Sequence, residues 1–343
     1  MSNPVASTDN RIEMVFFLDA TYSNPNGDPN NGNQPRQDSV SGCGIMTNVC
    51  LSRKIRNYVL ETRFPTSPET HDILIKDRAV YNEIFAEAHA KTNGDEKVSE
   101  EKRVQKAQEY MRKRYYDVRT FGALMATGEK EKEEAPEEET DLEDLSGEEV
   151  AKTKPVKAKG KQKVAKKKPG CGVVRGPIQI SMGLSVDPID IENGKFGITR
   201  LGRTKKETAD KDIEEHGRVM NEMGEKSVVP YGLYRFQITF NPFNAKRTGF
   251  SKEDLDLFVE SLHGMLELDR SAIRPELHPR KLVIFEHSSP LGNEMSHRLF
   301  ERVKAAKKAE AAKKAESPRK FSDYDVTVNR DGLPEGVKIH EVF

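Results

Sequence analysis

The chain has 343 residues, 35% hydrophobic and 33% charged, with 56 basic residues against 56 acidic ones and a formal net charge of +0. That composition allows one elaborated domain or two small ones but excludes a core built from the whole chain, so substantial segments must be solvated. No stretch approaches the ~18 consecutive apolar residues of a membrane span and no signal pattern opens the chain, so a soluble, cytoplasmic protein is expected.

The first element is Ile12 to Ala20, a near-continuous apolar run of the kind found in a strand covered on both faces. The loop after it, Asn24-Pro25-Asn26-Gly27-Asp28-Pro29-Asn30-Asn31-Gly32-Asn33-Gln34-Pro35-Arg36, combines prolines that fix φ with Asn-Gly pairs that tolerate positive φ. It should be a series of tight turns presenting N–H groups and side-chain amides to an anionic ligand. A helix is expected over about Ile45 to Leu60. Leu51, Ile55 and Tyr58 would pack on a sheet, while Arg53, Arg56 and Asn57 project from the other side with Lys54 at its flank. Such a stripe is either a phosphate-binding surface or a solubilising face.

Asp72 to Ala90 and Lys97 to Tyr116 read as helices, the second poor in apolar residues, and together they predict an accessory helical lobe. Asp117 to Ala126 returns to the main body. Residues 129–150 are acidic and 151–169 lysine-rich, without apolar periodicity, and are expected to form a disordered insertion between two strands. Alternation across Ile178, Ile180, Met182, Leu184 and Val186 predicts one strand, and the polar, glycine-punctuated stretch 187–230 a projecting hairpin or lobe. Tyr231 to Phe240 is a further strand. Ser251 caps a helix with Asp254 at N3 and Leu255, Phe258, Val259, Leu262 and Leu266 on its apolar face; Lys281 to His287 is the next strand. Beyond His297 an exposed helix is expected to about Glu316, and a hairpin turning at Asp331-Gly332 closes the chain. The order strand, helix, strands, helix, strand fits an α+β, ferredoxin-like or RNA-recognition-motif sheet with helices on one face.

Catalytic patterns are missing: there is no GxxxxGK[ST], HExxH or GxSxG. Cys43, Cys50 and Cys171 form no CxxC pair, and His287 is better placed to end a strand than to act as a base. Asp28 and Asp38 are weak candidates for a divalent cation and stronger ones for shaping the turn. Low aromatic content and the absence of tryptophan argue against a base-stacking sheet, so any RNA would be held through phosphates and shape.

Five segments together carry a resemblance: Asn24-Pro25-Asn26-Gly27-Asp28-Pro29, Cys50-Leu51-Ser52-Arg53-Lys54-Ile55-Arg56-Asn57, Val174-Arg175-Gly176-Pro177-Ile178-Gln179, Pro230-Tyr231-Gly232-Leu233-Tyr234 and Ser288-Ser289-Pro290-Leu291-Gly292-Asn293. With them the chain resembles the backbone subunit of type I-C CRISPR surveillance (Cascade) complexes, over most of its length but not over 129–169. The resemblance implies a modified RNA-recognition-motif palm at 11–63, 117–128, 172–186 and 231–300. It implies a helical finger insertion at 64–116, the charged insertion at 129–171, a thumb at 187–230 and a C-terminal helix and hairpin at 301–343.

It further implies a non-catalytic protein without cofactor or metal. Copies would assemble head to tail along a CRISPR guide RNA, with other Cascade subunits, and present the spacer to target DNA. The RNA-binding candidates are then Asn24, Asn26, Gly27, Asn33, Gln34, Arg36, Arg53, Lys54, Arg56, Asn57, Arg119, Phe121, Arg175 and Gln179. Arg200, Arg203, Met220 and Met223 are candidates on the thumb. The alternatives are a metal-dependent RNA endonuclease of the type III kind, using Asp28 or Asp38, and a lone single-strand RNA binder.

Overall fold

The computed structural model describes residues 3–92, 99–126, 170–200, 205–220, 222–308 and 318–343, with the backbone alone at 193–196, 198–200 and 222–223. In chain order the first strands and helix are β1 (Ile12–Ser23), β2 (Gly27–Asp28), β3 (Gln34–Pro35), β4 (Cys43–Met46) and α1 (Asn48–Thr62). The helical lobe supplies α2 (Tyr81–Thr92), α3 (Glu100–Arg114), α4 (Tyr116–Phe121), β5 (Gly122–Met125) and β6 (Gly172–Arg175). Then come β7 (Ile178–Ile180), β8 (Gly183–Pro188), β9 (Glu192–Arg200), α5 (Lys206–His216), β10 (Glu222–Phe240), α6 (Pro242–Thr248) and α7 (Lys252–Leu268). The last are β11 (Glu276–His287), α8 (Ser296–Phe300), β12 (Val303–Lys307), β13 (Tyr324–Val328) and β14 (Val337–Glu341).

The main sheet runs β14-β11-β1-β10-β8-β4, with β7 also on β10. Its inner strands follow the ferredoxin-like order, and β1 pairs antiparallel with both β10 and β11. The continuous apolar run of β1 is thereby explained. Met14, Phe16 and Leu18 pack with Leu51 and Ile55 of α1 and Phe258 and Leu262 of α7, whereas Val15 and Phe17 meet Leu299, Phe300 and Val303 on the other face. The α7 prediction holds in detail: Ser251 and Asp254 form a reciprocal capping box, and the five expected apolar residues are buried.

Strand β10 extends past the sheet to pair with β9, making the hairpin of the expected thumb, and α5 follows β9. A second core under α2 and α3 joins Leu74, Phe85, Ala107 and Met111 to Met125, Cys171 and Val174. Strands β5 and β6 pair with each other and not with the main sheet, and Met125, Cys171 and Val174 pack in this second core. The charged insertion lies outside the described residues from 127 to 169.

Four boundaries differ from expectation. Ile45 lies in β4, and α1 starts only at Asn48, where Thr47 accepts the N–H of Cys50. Residues 72–80 are not helical, because the N–H groups of Ile73, Leu74 and Ile75 are taken by the carboxylates of Asp72 and Asp117. The single strand expected across 178–186 is broken: Ser181 Oγ accepts the N–H of Gln237, and the register slips so that Met182 and Leu184 face solvent. In the C-terminal part Val303–Lys307 is a strand paired with β13, while β14 joins β11. The Asp331-Gly332 turn is present but its arms enter different sheets, so there is no terminal hairpin. The helix expected over 303–307 is displaced by the β13 ladder, and 309–317 lie outside the described residues.

Candidate nucleic-acid interface

The loop from Asn24 to Arg36 is tied down from inside and open outside. Asn24 donates its backbone N–H to Ile273 O at 2.7 Å and its side-chain amide to Asn33 O at 2.7 Å. Asn26 Oδ1 accepts both the N–H and the hydroxyl of Thr47 at 2.9 Å, coupling the loop to the first turn of α1. Strands β2 and β3 close the turn, with Asn33 at φ 58° and Gln34 paired with Asp28. Gly27 is required here: a Cβ would sit 2.1 Å from Asn33 Oδ1 and 2.9 Å from Asn33 O. Asn30, Asn31 and Asn33 are exposed.

Two polar atoms in this loop are buried without a hydrogen-bond partner, Asn24 Oδ1 and Arg36 Nε. Arg36 lies 3.5 Å from Asp28 and its guanidinium is otherwise unengaged among the described residues. An unpaired buried polar atom costs on the order of 1–3 kcal/mol, so each of these leaves a hydrogen bond unmade in the loop.

The basic stripe of α1 is different. Lys54 is buried against Asp269, and Arg56 is buried with Nε 2.9 Å from Asp117, whose carboxylate also accepts two backbone N–H groups. These side chains do not project outward together, which corrects the expectation from helical spacing: the sheet, the lobe and the loop after α7 enclose that side of the helix. Arg53 is half-exposed and donates to Ile75 O at 2.9 Å, and Asn57 is exposed. Arg119 is also internal, forming a forked pair with Asp254 at 2.8 and 2.9 Å. Phe121 packs edge-on to Phe258 with Arg56 over its ring, while Arg175 and Gln179 are exposed on β6 and β7. No hydrogen bond or ion pair joins Arg119, Phe121, Arg175 or Gln179 to the loop among the described residues.

On the thumb, Met220 is half-buried in the segment after α5, its N–H bonded to Asp212 at 3.0 Å. Arg200 and Met223 lie in β9 and β10 with only their backbone described, and Arg203 lies outside the described residues.

The acidic residues of the loop act on the loop itself. Asp38 Oδ1 accepts the N–H groups of Val40 and Ser41 and the Ser41 hydroxyl, and these bonds, the Ser41 N–H first, hold its carboxyl below the usual carboxylate range. Asp28 accepts from Asn30 N–H. Among the described residues no group of three or more His, Cys, Asp or Glu side chains could hold a metal ion. His287 is buried at the end of β11. Its Nδ1 accepts the N–H of Asn293, so Nε2 carries the proton and donates to Glu13 at 2.5 Å, which locks the Ser288-to-Asn293 loop to β1.

The family model for CRISPR-associated protein Cas7 matches residues 10–329. The chain belongs to the Cas7 family. A CRISPR-associated protein Cas7 of Haloferax volcanii is 43% identical over 58 residues, which is 17% of this chain and 17% of that protein. Two solved chains are also similar. One, from a CRISPR RNA-guided surveillance complex in a pre-nicking state, has 16% identity and a TM-score of 0.42, covering 80% of this chain and 76% of that one. The other, from a CRISPR RNA-guided surveillance complex, has 14% identity and a TM-score of 0.36, covering 80% and 69%. No described helix is long and apolar enough to cross a membrane.

One part of the site in this Cas7-family chain escapes sequence reasoning. Ile273 anchors Asn24, and Arg274 next to it donates Nε to Asp269 at 3.1 Å, the carboxylate that also holds Lys54. Lys54 and Arg274 thus share one carboxylate, which ties α1 to the connection that anchors the loop. A lone arginine in a short connection between α7 and β11 carries no pattern that would single it out.

Proposed function

We propose that this chain is a non-catalytic backbone subunit that binds guide RNA in a type I-C CRISPR surveillance complex, assembling head to tail along the RNA in the cytoplasm. Other Cascade subunits join it, and the spacer is left free to pair with target DNA. The observation that carries this reading is the loop with its unpartnered Asn24 Oδ1 and Arg36 Nε, set among turns that expose amides and beside Arg274. A phosphate would meet the partly exposed end of the Arg36 guanidinium, which Asn24 helps to position through the loop. Asn26, Gly27, Asn33 and Gln34 shape this cradle, and Arg53 and Asn57 extend it along α1. Lys54, Arg56 and Arg119 act on it only through the framework they hold. Arg175, Gln179 and the thumb residues Arg200, Arg203, Met220 and Met223 would meet the RNA elsewhere along its path. Over β1 and β11 the second face of the sheet is covered by α8 and the β12–β13 ribbon, which leaves no broad stacking platform there and favours phosphate recognition in the loop.

The test is the size of the protein with RNAs of increasing length. Multimers that grow with RNA length, and that Arg36→Ala together with Asn24→Ala weakens, are expected; a fixed one-to-one complex would indicate a lone RNA binder. The endonuclease reading predicts Mg²⁺-dependent RNA cuts lost in Asp28→Ala or Asp38→Ala. The turn bonds of Asp38 weigh against it, and no such cuts are expected.

A further inference from the structure

We infer that a second anion-binding track, for a single nucleic-acid strand, runs along the sheet face opposite α1 and α7. It is an open groove of about 1300 Å³ between the β7–β8 edge and the wall formed by α8 and β12. It does not use the guide-binding loop and stands whether or not that reading does.

The floor of the groove holds Arg235. Its Nη2 donates to Phe300 O at 2.7 Å at the end of α8, its Nε is buried without a partner, and no carboxylate lies within ion-pair distance of it among the described residues. Burial holds its pKa below the usual guanidinium range. Arg235 is half-buried, and a partly desolvated charge with no counter-ion favours an anion that completes it. On the wall, Arg302 is held in place by the backbone carbonyls of Asp331 and Gly332 at 2.8 and 2.9 Å. Lys304 and Arg298 are exposed along the same wall, Arg298 3.4 Å from Glu294. Glu301 and Asp331 also line the groove, so its cations exceed its acids, Arg235, Arg298, Arg302 and Lys304 against those two. Across from them Met182 and Leu184 are 59% and 49% exposed, a consequence of the register slip at Ser181.

Forked guanidinium donors suit phosphate, and an apolar strip facing a line of cations suits the bases of the same strand. A groove open along its length, far larger than one phosphate needs, fits a chain and not a small molecule. Apart from the imidazole of His297 it exposes no aromatic ring, since Phe300 is buried, so binding should be nearly indifferent to base sequence and steep in salt.

The experiment uses the full chain carrying Arg36→Ala, so that the loop contributes least. Binding of a labelled thymidine homopolymer is measured against salt, with and without Arg298→Glu plus Lys304→Glu on the exposed wall, and separately with Arg235→Gln. The charge reversals should weaken binding about tenfold or more and lower the salt slope by about 1–2. A 4-thiothymidine homopolymer should crosslink to peptides containing Met182 or residues 297–304. Unchanged affinity and slope in the charge-reversed protein, or crosslinks confined to other segments, would overturn the proposal. So would loss of polyglutamate binding with thymidine binding intact, because the groove would then be a peptide site. Should Arg235→Gln fail to fold, the surface reversals decide alone.

Discussion

The arginines of α1 and α4 and the arginine of the loop look alike in sequence and do opposite things in the fold. Arg56 and Arg119 are buried against Asp117 and Asp254, whereas Arg36 keeps a buried donor with no partner and only a 3.5 Å contact to Asp28. A cation whose charge is already neutralised inside the protein has little left for a ligand, and one that is not has its donors free. On the function proposed above, the difference separates the framework of the site from its contact surface.

The sharpest way to break that distinction is Arg119→Ala. It strands Asp254, a buried carboxylate that also caps α7, and should cost about 3–5 kcal/mol of stability. Urea unfolding measures it. RNA affinity per folded molecule should be almost unchanged, and a large affinity loss with native stability would reverse the roles assigned here. Next is Gly27→Ala, where the added methyl collides with Asn33 side chain and backbone. Overpacking of this kind costs about 1–3 kcal/mol and should distort the loop, so both the melting temperature and RNA binding should fall. If binding alone fell, Gly27 would be a contact and not a spacer.

Arg36→Ala is the mirror of Arg119→Ala. Stability should hold or rise, by up to about 1–3 kcal/mol as the unpartnered donor is removed, while the salt slope of RNA binding falls by about 1. Equal losses of stability in the two variants would erase the comparison.

How much of this was legible before the fold was known follows the range of the interactions. The β1 strand, the α7 capping box and the turn-rich loop are set by neighbours within a few residues, and the sequence carries them openly. The fate of the basic stripe is set by Asp117 and Asp269, 61 and 215 positions from their partners, and helical spacing cannot see them. The break at Ser181 is hidden for a related reason. The alternation of apolar residues continues through it, and only the packing of the Phe236 ring where Gly183 has no Cβ shows which face turns inward. Arg274 was invisible because its importance lies in sharing Asp269 with Lys54.

The smallest effect tests whether the loop carboxylates serve the loop. Asp38 lies in a turn that accepts three bonds from Val40 and Ser41, bonds that the charged form makes best. Its folded pKa is lowered from the unfolded value of 3.8, so the stability it adds is present above that value and is lost as pH falls through the lower folded one. Asp38→Asn keeps an acceptor at the same place and should preserve RNA binding while removing this acid dependence. Asp38→Ala removes the acceptor and should loosen the 38–43 turn, seen as faster amide exchange at Val40 and Ser41. If instead Asp38→Asn abolished a metal-dependent activity while leaving amide exchange untouched, the carboxylate's charge would be acting on something outside the turn, and the loop would have to be regarded as a reaction centre.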